Sequence, residues 1–129
     1  MADGPRLNID VDEKRFPGSA APLLANFHVT IPPSQVVALV GPSGVGKSTL
    51  LRMIAGIDDD YSGAITIDGK AADAAPPAGF VFQDSRLLPW LSALDNIRAV
   101  RAETTEAEAR DLLARVGLAG SENAYPAQL

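Results

Sequence analysis

A lysine follows three spaced glycines in the stretch "GPSGVGKS", which fits the phosphate-loop pattern G-x-x-x-x-G-K-[ST]. Glycines let the backbone wrap closely, so that successive N–H groups face phosphate oxygens, and the positive end of a following helix adds to the attraction. In this pattern Lys47 reaches the β and γ phosphates, Ser48 ligates Mg²⁺ and Thr49 offers a further donor. The predicted nucleotide-binding residues are Gly41, Pro42, Ser43, Gly44, Val45, Gly46, Lys47, Ser48 and Thr49.

A phosphate loop needs a strand before it and a helix after it. The apolar run "VVALV" at residues 36–40 predicts a strand that is covered on both faces, as in a parallel sheet. Apolar residues at helical spacing within residues 47–57 predict a helix that begins at Lys47 and stops near Gly56. The run "FVFQ" at residues 80–83 predicts a second parallel strand.

Alternating apolar and polar residues predict further strands of another kind. The segments "RLNIDVD" and "NFHVTI" both read as half-buried strands, and we expect them to pair antiparallel. The segment "AITIDGK" predicts a strand that runs into an Asp-Gly hairpin turn. A strand that delivers Asp68 to Mg²⁺ is the alternative, but Gly69 directly after it favours the hairpin.

Two helix-capping patterns occur in the second half of the chain. Ser92 with Asp95 predicts a helix through about Arg101, and Thr105 with Glu108 predicts another. The second helix carries an apolar stripe that ends at Gly117 and consists of Ala109, Leu112, Leu113 and Val116.

Composition excludes several classes of protein. A chain of 129 residues with 47% hydrophobic and 21% charged residues is expected to fold as one unit or as part of one. A net charge of −5 without basic runs argues against nucleic acid as a partner. The lack of cysteine excludes disulfides and thiolate metal sites. No secretory signal or membrane-length apolar run is evident, so we expect the chain to stay inside the cell.

Four ordered segments carry a family resemblance: "GPSGVGKSTLLRMIAGID", "SGAITIDGK", "GFVFQDSRLLPWLSALDNI" and "YPAQL". Together they resemble the ATP-binding subunit of ABC transporters. The resemblance implies an α/β P-loop NTPase fold of the ABC nucleotide-binding type, with an antiparallel β-subdomain. Residues 1–129 would be the N-terminal part of that domain, with the phosphate loop at 41–49, a Q-loop around residue 83 and the start of a helical subdomain at about 84–129.

The resemblance also implies roles for residues outside the phosphate loop. Phe16 matches the family's adenine-stacking aromatic, although a loop phenylalanine that covers the core edge is the alternative. Gln83 matches the Q-loop glutamine, which would ligate Mg²⁺ and meet the attacking water, so Lys47 and Gln83 are the expected catalytic residues. The segment from Asp84 to Asn96 resembles the surface that docks on membrane subunits, with Trp90 either exposed there or part of the core.

In this family, ATP and Mg²⁺ are enclosed between two ATP-binding subunits, which act with transmembrane permease subunits and a separate solute-binding protein. The resemblance therefore implies a homodimer in the complete form, located in the cytoplasm as a peripheral protein on the inner face of the membrane. The segments "LLPW" and "LDNI" look like those of nitrate, sulfonate and taurine importers. "PPSQ" stands where the family usually has a Gly-Glu turn.

The last residue, Leu129, would be the first of the family's Leu-Ser-Gly-Gly signature, so we expect the chain to lack the rest of that motif. The complete subunit would hydrolyse ATP to drive solute import, and this chain is not expected to be active alone. The alternative is a truncated, non-catalytic fragment that binds nucleotide or a partner. A small-molecule kinase is less favoured because no Arg-rich lid follows the loop, and a GTPase because Asn-Lys-x-Asp is missing.

Overall fold

The computed structural model describes residues 4–129. The chain divides into two compact units, of which the first ends at Phe80 and the second begins at Val81. Within residues 4–129, no helix has both the length and the apolar character needed to cross a membrane.

The first unit is built on a four-stranded antiparallel sheet. The order across the sheet is β2-β1-β3-β4, and each neighbouring pair is antiparallel. The strands predicted at "RLNIDVD", "NFHVTI" and "AITIDGK" are confirmed, as is the antiparallel pairing of the first two. The strands are β1 (Leu7–Lys14), β2 (Leu24–Ile31), β3 (Ser62–Ile67) and β4 (Lys70–Ala71).

Helix α1 (Lys47–Ile54) packs against this sheet. Ile9, Val11 and Ile65 come from the sheet, and Leu50 and Met53 come from one side of the helix. All five are buried. Apolar residues alternate along the strands and recur at helical spacing in α1, so the sheet and the helix each have one apolar face, and these two faces pack together. The core of the first unit therefore lies directly behind the helix that follows the glycine loop.

The turn between β3 and β4 is the predicted Asp-Gly hairpin. Asp68 and Gly69 both have positive φ angles, of 51° and 76°, as a type I′ turn requires. The Asp68 carboxylate accepts a hydrogen bond from the backbone N–H of Arg6 at 2.8 Å. Asp68 is thus a turn residue, and the alternative that it reaches Mg²⁺ from a strand is not supported.

The two predicted parallel strands are wrong for this structure. Residues 36–40 and 80–83 have no regular secondary structure, and the valines at 36, 40 and 81 are exposed. A strand that is buried on both faces depends on neighbouring strands for its hydrogen bonds. The sheet formed by the described residues contains only β1–β4, so neither apolar run has a partner strand in it.

The second unit contains two helices, α2 (Ala93–Val100) and α3 (Glu106–Arg115), and a 3₁₀ turn at Pro126–Gln128. Both predicted N-caps are confirmed: Ser92 accepts from the N–H of Asp95, and Thr105 forms a full capping box with Glu108. The small core of this unit consists of Ala93, Leu94, Ala109 and Leu113. Only half of the predicted stripe is buried, because Leu112 and Val116 are exposed.

Candidate functional site

The glycine loop leads directly into α1, as predicted. Gly44 and Gly46 have φ angles of +80° and +106°, a region that costs a side chain about 1–2 kcal/mol. A Cβ on Gly46 would also come within 3.1 Å of the Leu23 side chain. Glycine at these positions therefore permits the backbone angles of the loop and, at Gly46, its close approach to Leu23, which directly precedes β2.

The ammonium of Lys47 lies on the loop itself. Its Nζ donates to the carbonyl of Gly41 at 2.8 Å and to that of Pro42 at 2.7 Å. The side chain thus curls back from the first helical position to the first two loop residues. The structure holds the positive charge of Lys47 beside the loop rather than in the surrounding solvent.

The first turn of α1 offers backbone donors next to this charge. The N–H of Leu50 makes the first helical hydrogen bond, to Gly46 at 2.9 Å, so the N–H groups of residues 47–49 precede the helical ladder. In the part of the chain that the structure describes, no side chain caps this turn. Ser48 is exposed and Thr49 is half-buried. The backbone N–H groups of this turn, the positive end of the α1 dipole and the ammonium of Lys47 are together suited to binding a phosphate chain.

An open cleft of about 360 Å³ adjoins the loop. Lys47 provides the only charge among its lining residues, which are otherwise apolar or glycine. A charge beside apolar surface is screened less than one in open water. The lining residues are Leu23, Leu24, Ala25, Phe27, Leu39, Val40, Val45, Gly46, Lys47 and Leu50.

Phe16 lies just after the end of β1, in the same unit as the glycine loop. Its side chain is 46% exposed, and the Nζ of Lys14 lies 5.4 Å from the centroid of its ring. The ring is therefore half-covered and half-accessible, so its role in stacking on adenine stays a prediction.

Gln83 belongs to the second unit, where it is exposed. Close to it, the guanidinium of Arg86 lies 4.6 Å from the centroid of the Phe82 ring. The predicted role of Gln83 as a ligand of Mg²⁺ is not tested by this geometry.

The loop that follows Gln83 exposes several apolar side chains. Trp90 is 69% exposed, and Leu87 and Leu88 are also exposed. Of the two interpretations of Trp90, the structure favours the exposed one over the core.

Asn96 fixes the backbone of this loop, a role that the sequence analysis missed. It is buried and accepts from the N–H of Leu88 at 2.7 Å. Its amide nitrogen contacts the carbonyls of Leu88, Leu91 and Ser92 at 3.0–3.1 Å. Because an amide carries two N–H groups, at least one is shared. The exposed Trp90 is thus presented on a hydrogen-bonded loop.

The chain is similar to known proteins over most of its length. The family described as ABC transporter matches residues 24–129. The chain is 40% identical over 129 residues to the aliphatic sulfonates import ATP-binding protein SsuB of Bacillus subtilis. The alignment covers 95% of this chain and 51% of the relative. It is 42% identical over 114 residues to the taurine import ATP-binding protein TauB of Pseudomonas syringae. That alignment covers 83% of this chain and 44% of the relative. The chain thus spans about half the length of the curated relatives it matches.

Proposed function

The chain belongs to the ABC transporter family, and on that premise we propose that it binds MgATP as part of the ATP-binding subunit of a solute importer. The observation that carries this proposal is the ammonium of Lys47 held on a loop with positive-φ glycines, at the start of α1. A phosphate chain is the ligand that such a combination of charge, backbone donors and helix terminus suits.

We assign the phosphate contacts to Lys47, to the backbone N–H groups of Gly41 and of residues 43–46, and to Thr49; Pro42 has no N–H and contributes only its place in the loop. Ser48 and Gln83 are proposed as protein ligands of Mg²⁺, which neutralises charge on the phosphates when bound. Gln83 would also orient water, and Phe16 would stack on the adenine ring. In the whole subunit, these residues would serve ATP hydrolysis.

The names of the relatives suggest the kind of transport that this ATP binding serves. SsuB and TauB are named as import proteins for aliphatic sulfonates and for taurine. We propose that the solute of this system is a small organic sulfonate. The proposed partners are a second ATP-binding subunit, transmembrane permease subunits and a separate solute-binding protein, with the subunit on the cytoplasmic face of the membrane.

Calorimetric titration of the purified protein with ATP and Mg²⁺ tests the proposal. We expect saturable binding at one site per chain, and we expect tripolyphosphate to compete because it offers the same phosphate contacts. Competition by tripolyphosphate would indicate that ATP binds through its phosphates at the glycine loop. A site that holds only the base would bind ATP without such competition. Absence of binding at millimolar MgATP would contradict the proposal.

The exposed loop around Trp90 is the proposed contact with the permease subunits. An exposed aromatic side chain on a fixed loop is typical of the residues that dominate interface energies. We therefore expect Trp90→Ala to weaken association with the cognate permease subunits by about 2 kcal/mol, or about thirtyfold. Co-purification and a binding titration measure the change.

Val116→Ala is the matched control for this experiment. Val116 is an exposed apolar residue of the same unit that follows α3, outside the Trp90 loop. We expect its variant to associate like the parent. Equal association of the Trp90 variant and the parent would place the interface elsewhere.

A further inference from the structure

Lys14 is a lysine on the buried face of the sheet. Ile9 and Val11 point into the core at odd positions of β1, so regular alternation would place Lys14 outward with Asp10 and Asp12. The pairing with β3 shifts by one residue between Val11 and Glu13, which is a β-bulge. The extra residue turns Lys14 inward, and its side chain is 2% exposed.

The ammonium of Lys14 is fully engaged by the segment that follows α1. Its Nζ donates to Asp58 Oδ1 at 2.8 Å and to the backbone carbonyl of Asp60 at 2.7 Å, and it lies 3.5 Å from Asp60 Oδ2. Burial disfavours this charge, but the hydrogen bond and charge of Asp58, with the charge of Asp60, leave the pKa of Lys14 raised. The lysine is therefore charged at neutral pH.

Asp58 is itself anchored to the helix that begins at the glycine loop. The backbone N–H groups of Ile57 and Asp58 donate to the carbonyl of Arg52 in α1, at 2.9 and 3.3 Å. A chain of contacts thus runs from α1 through Asp58 to Lys14. It ends at Phe16, whose ring lies 5.4 Å from the same ammonium.

We infer that Lys14 is a positioning residue for ATP, which holds the ring of Phe16 at a fixed place relative to the phosphate-binding helix. A buried cation within about 6 Å of an aromatic centroid attracts the ring and restricts its orientation. The ring is 46% exposed, so part of it remains open to solvent, where the proposed stacking on a purine would occur. This inference rests on the proposed function, because it assigns Phe16 to the base and Lys47 to the phosphates.

A comparison of two ligands separates positioning from simple stabilisation of the fold. ATP uses both the ring and the loop, whereas tripolyphosphate uses only the loop. We expect Lys14→Met to weaken ATP binding about three- to tenfold, between the strengths of an exposed and a fully desolvated cation–π contact, and to leave tripolyphosphate binding unchanged. Phe16→Ala should show the same pattern, and Lys14→Arg should restore much of the ATP affinity.

Two further variants guard against misfolding and loss of charge. Lys14→Met leaves the carboxylate of Asp58 without its partner, which could destabilise the fold. The double variant Lys14→Met/Asp58→Asn removes both charges and is titrated with the same two ligands. Lys70→Met removes a charge from the exposed β4 and should change neither affinity.

The outcomes distinguish this inference from the proposed function. A parent protein that binds neither ligand would overturn the proposed function. A parent that binds both, with a Lys14 variant that weakens both equally or neither, would overturn the positioning role alone. Selective loss of ATP binding in both the single and the double variant supports it.

Discussion

Lys47→Ala is expected to reduce the affinity for MgATP about ten- to hundredfold, which corresponds to the loss of about 1.5–3 kcal/mol from charge-assisted contacts. The ammonium lies 2.7–2.8 Å from the carbonyls of Gly41 and Pro42, where the loop begins. Its removal would take away the only charge that the described residues give the adjoining cleft, together with two contacts that hold the loop. In the whole subunit, we expect ATP turnover to be abolished. Calorimetry and a phosphate-release assay measure the two effects.

Lys70→Ala provides a matched control for this loss of charge. Lys70 belongs to the same unit but lies on the exposed strand β4, so its variant has the same net charge as Lys47→Ala and an intact loop. We expect it to bind MgATP like the parent. If Lys47→Ala also binds like the parent, phosphates do not sit at the glycine loop.

The features that the sequence predicts correctly depend on residues close together in the chain. Helix α1 follows from apolar spacing, and the hairpin at Asp68 follows from the conformations that Asp-Gly favours. The caps of α2 and α3 likewise join residues three positions apart. The glycine loop is also determined locally, since its backbone angles are set by its own glycines. Local patterns therefore predict both the conformation of the glycine loop and the helix that follows it.

The features that it misses depend on contacts between distant segments. The run at 36–40 is apolar enough for a buried strand, but strand formation requires a neighbour that the sheet β1–β4 does not supply. Lys14 is buried because a bulge forms against β3, about fifty residues further along the chain. Asn96 is missed for another reason: its partners lie only five to eight residues earlier, but no residue pattern indicates that a helical asparagine will bond the preceding loop.

Gly63→Ala is expected to lower the free energy of unfolding of the first unit by about 2–5 kcal/mol. Gly63 lies in β3 opposite the bulge and has a φ angle of +114°. A Cβ there would collide with the carbonyl oxygen of Asp10 and lie 3.0 Å from the backbone nitrogen of Asp12. Because these are backbone atoms in the central strand, neither can move without breaking the pairing of β1 with β3. Urea denaturation monitored by circular dichroism measures the change.

Gly69→Ala separates the collision from the cost of the backbone angle. Gly69 also has a positive φ, of +76°, but a Cβ there would meet no described atom within 4 Å. Its variant should cost only the conformational penalty, about 1–2 kcal/mol. Equal destabilisation by the two variants would mean that the strands relax around the added methyl group. A larger loss for Gly63→Ala, together with weaker ATP binding and unchanged tripolyphosphate binding in the folded fraction, would show that this glycine shapes the bulge that turns Lys14 towards Phe16.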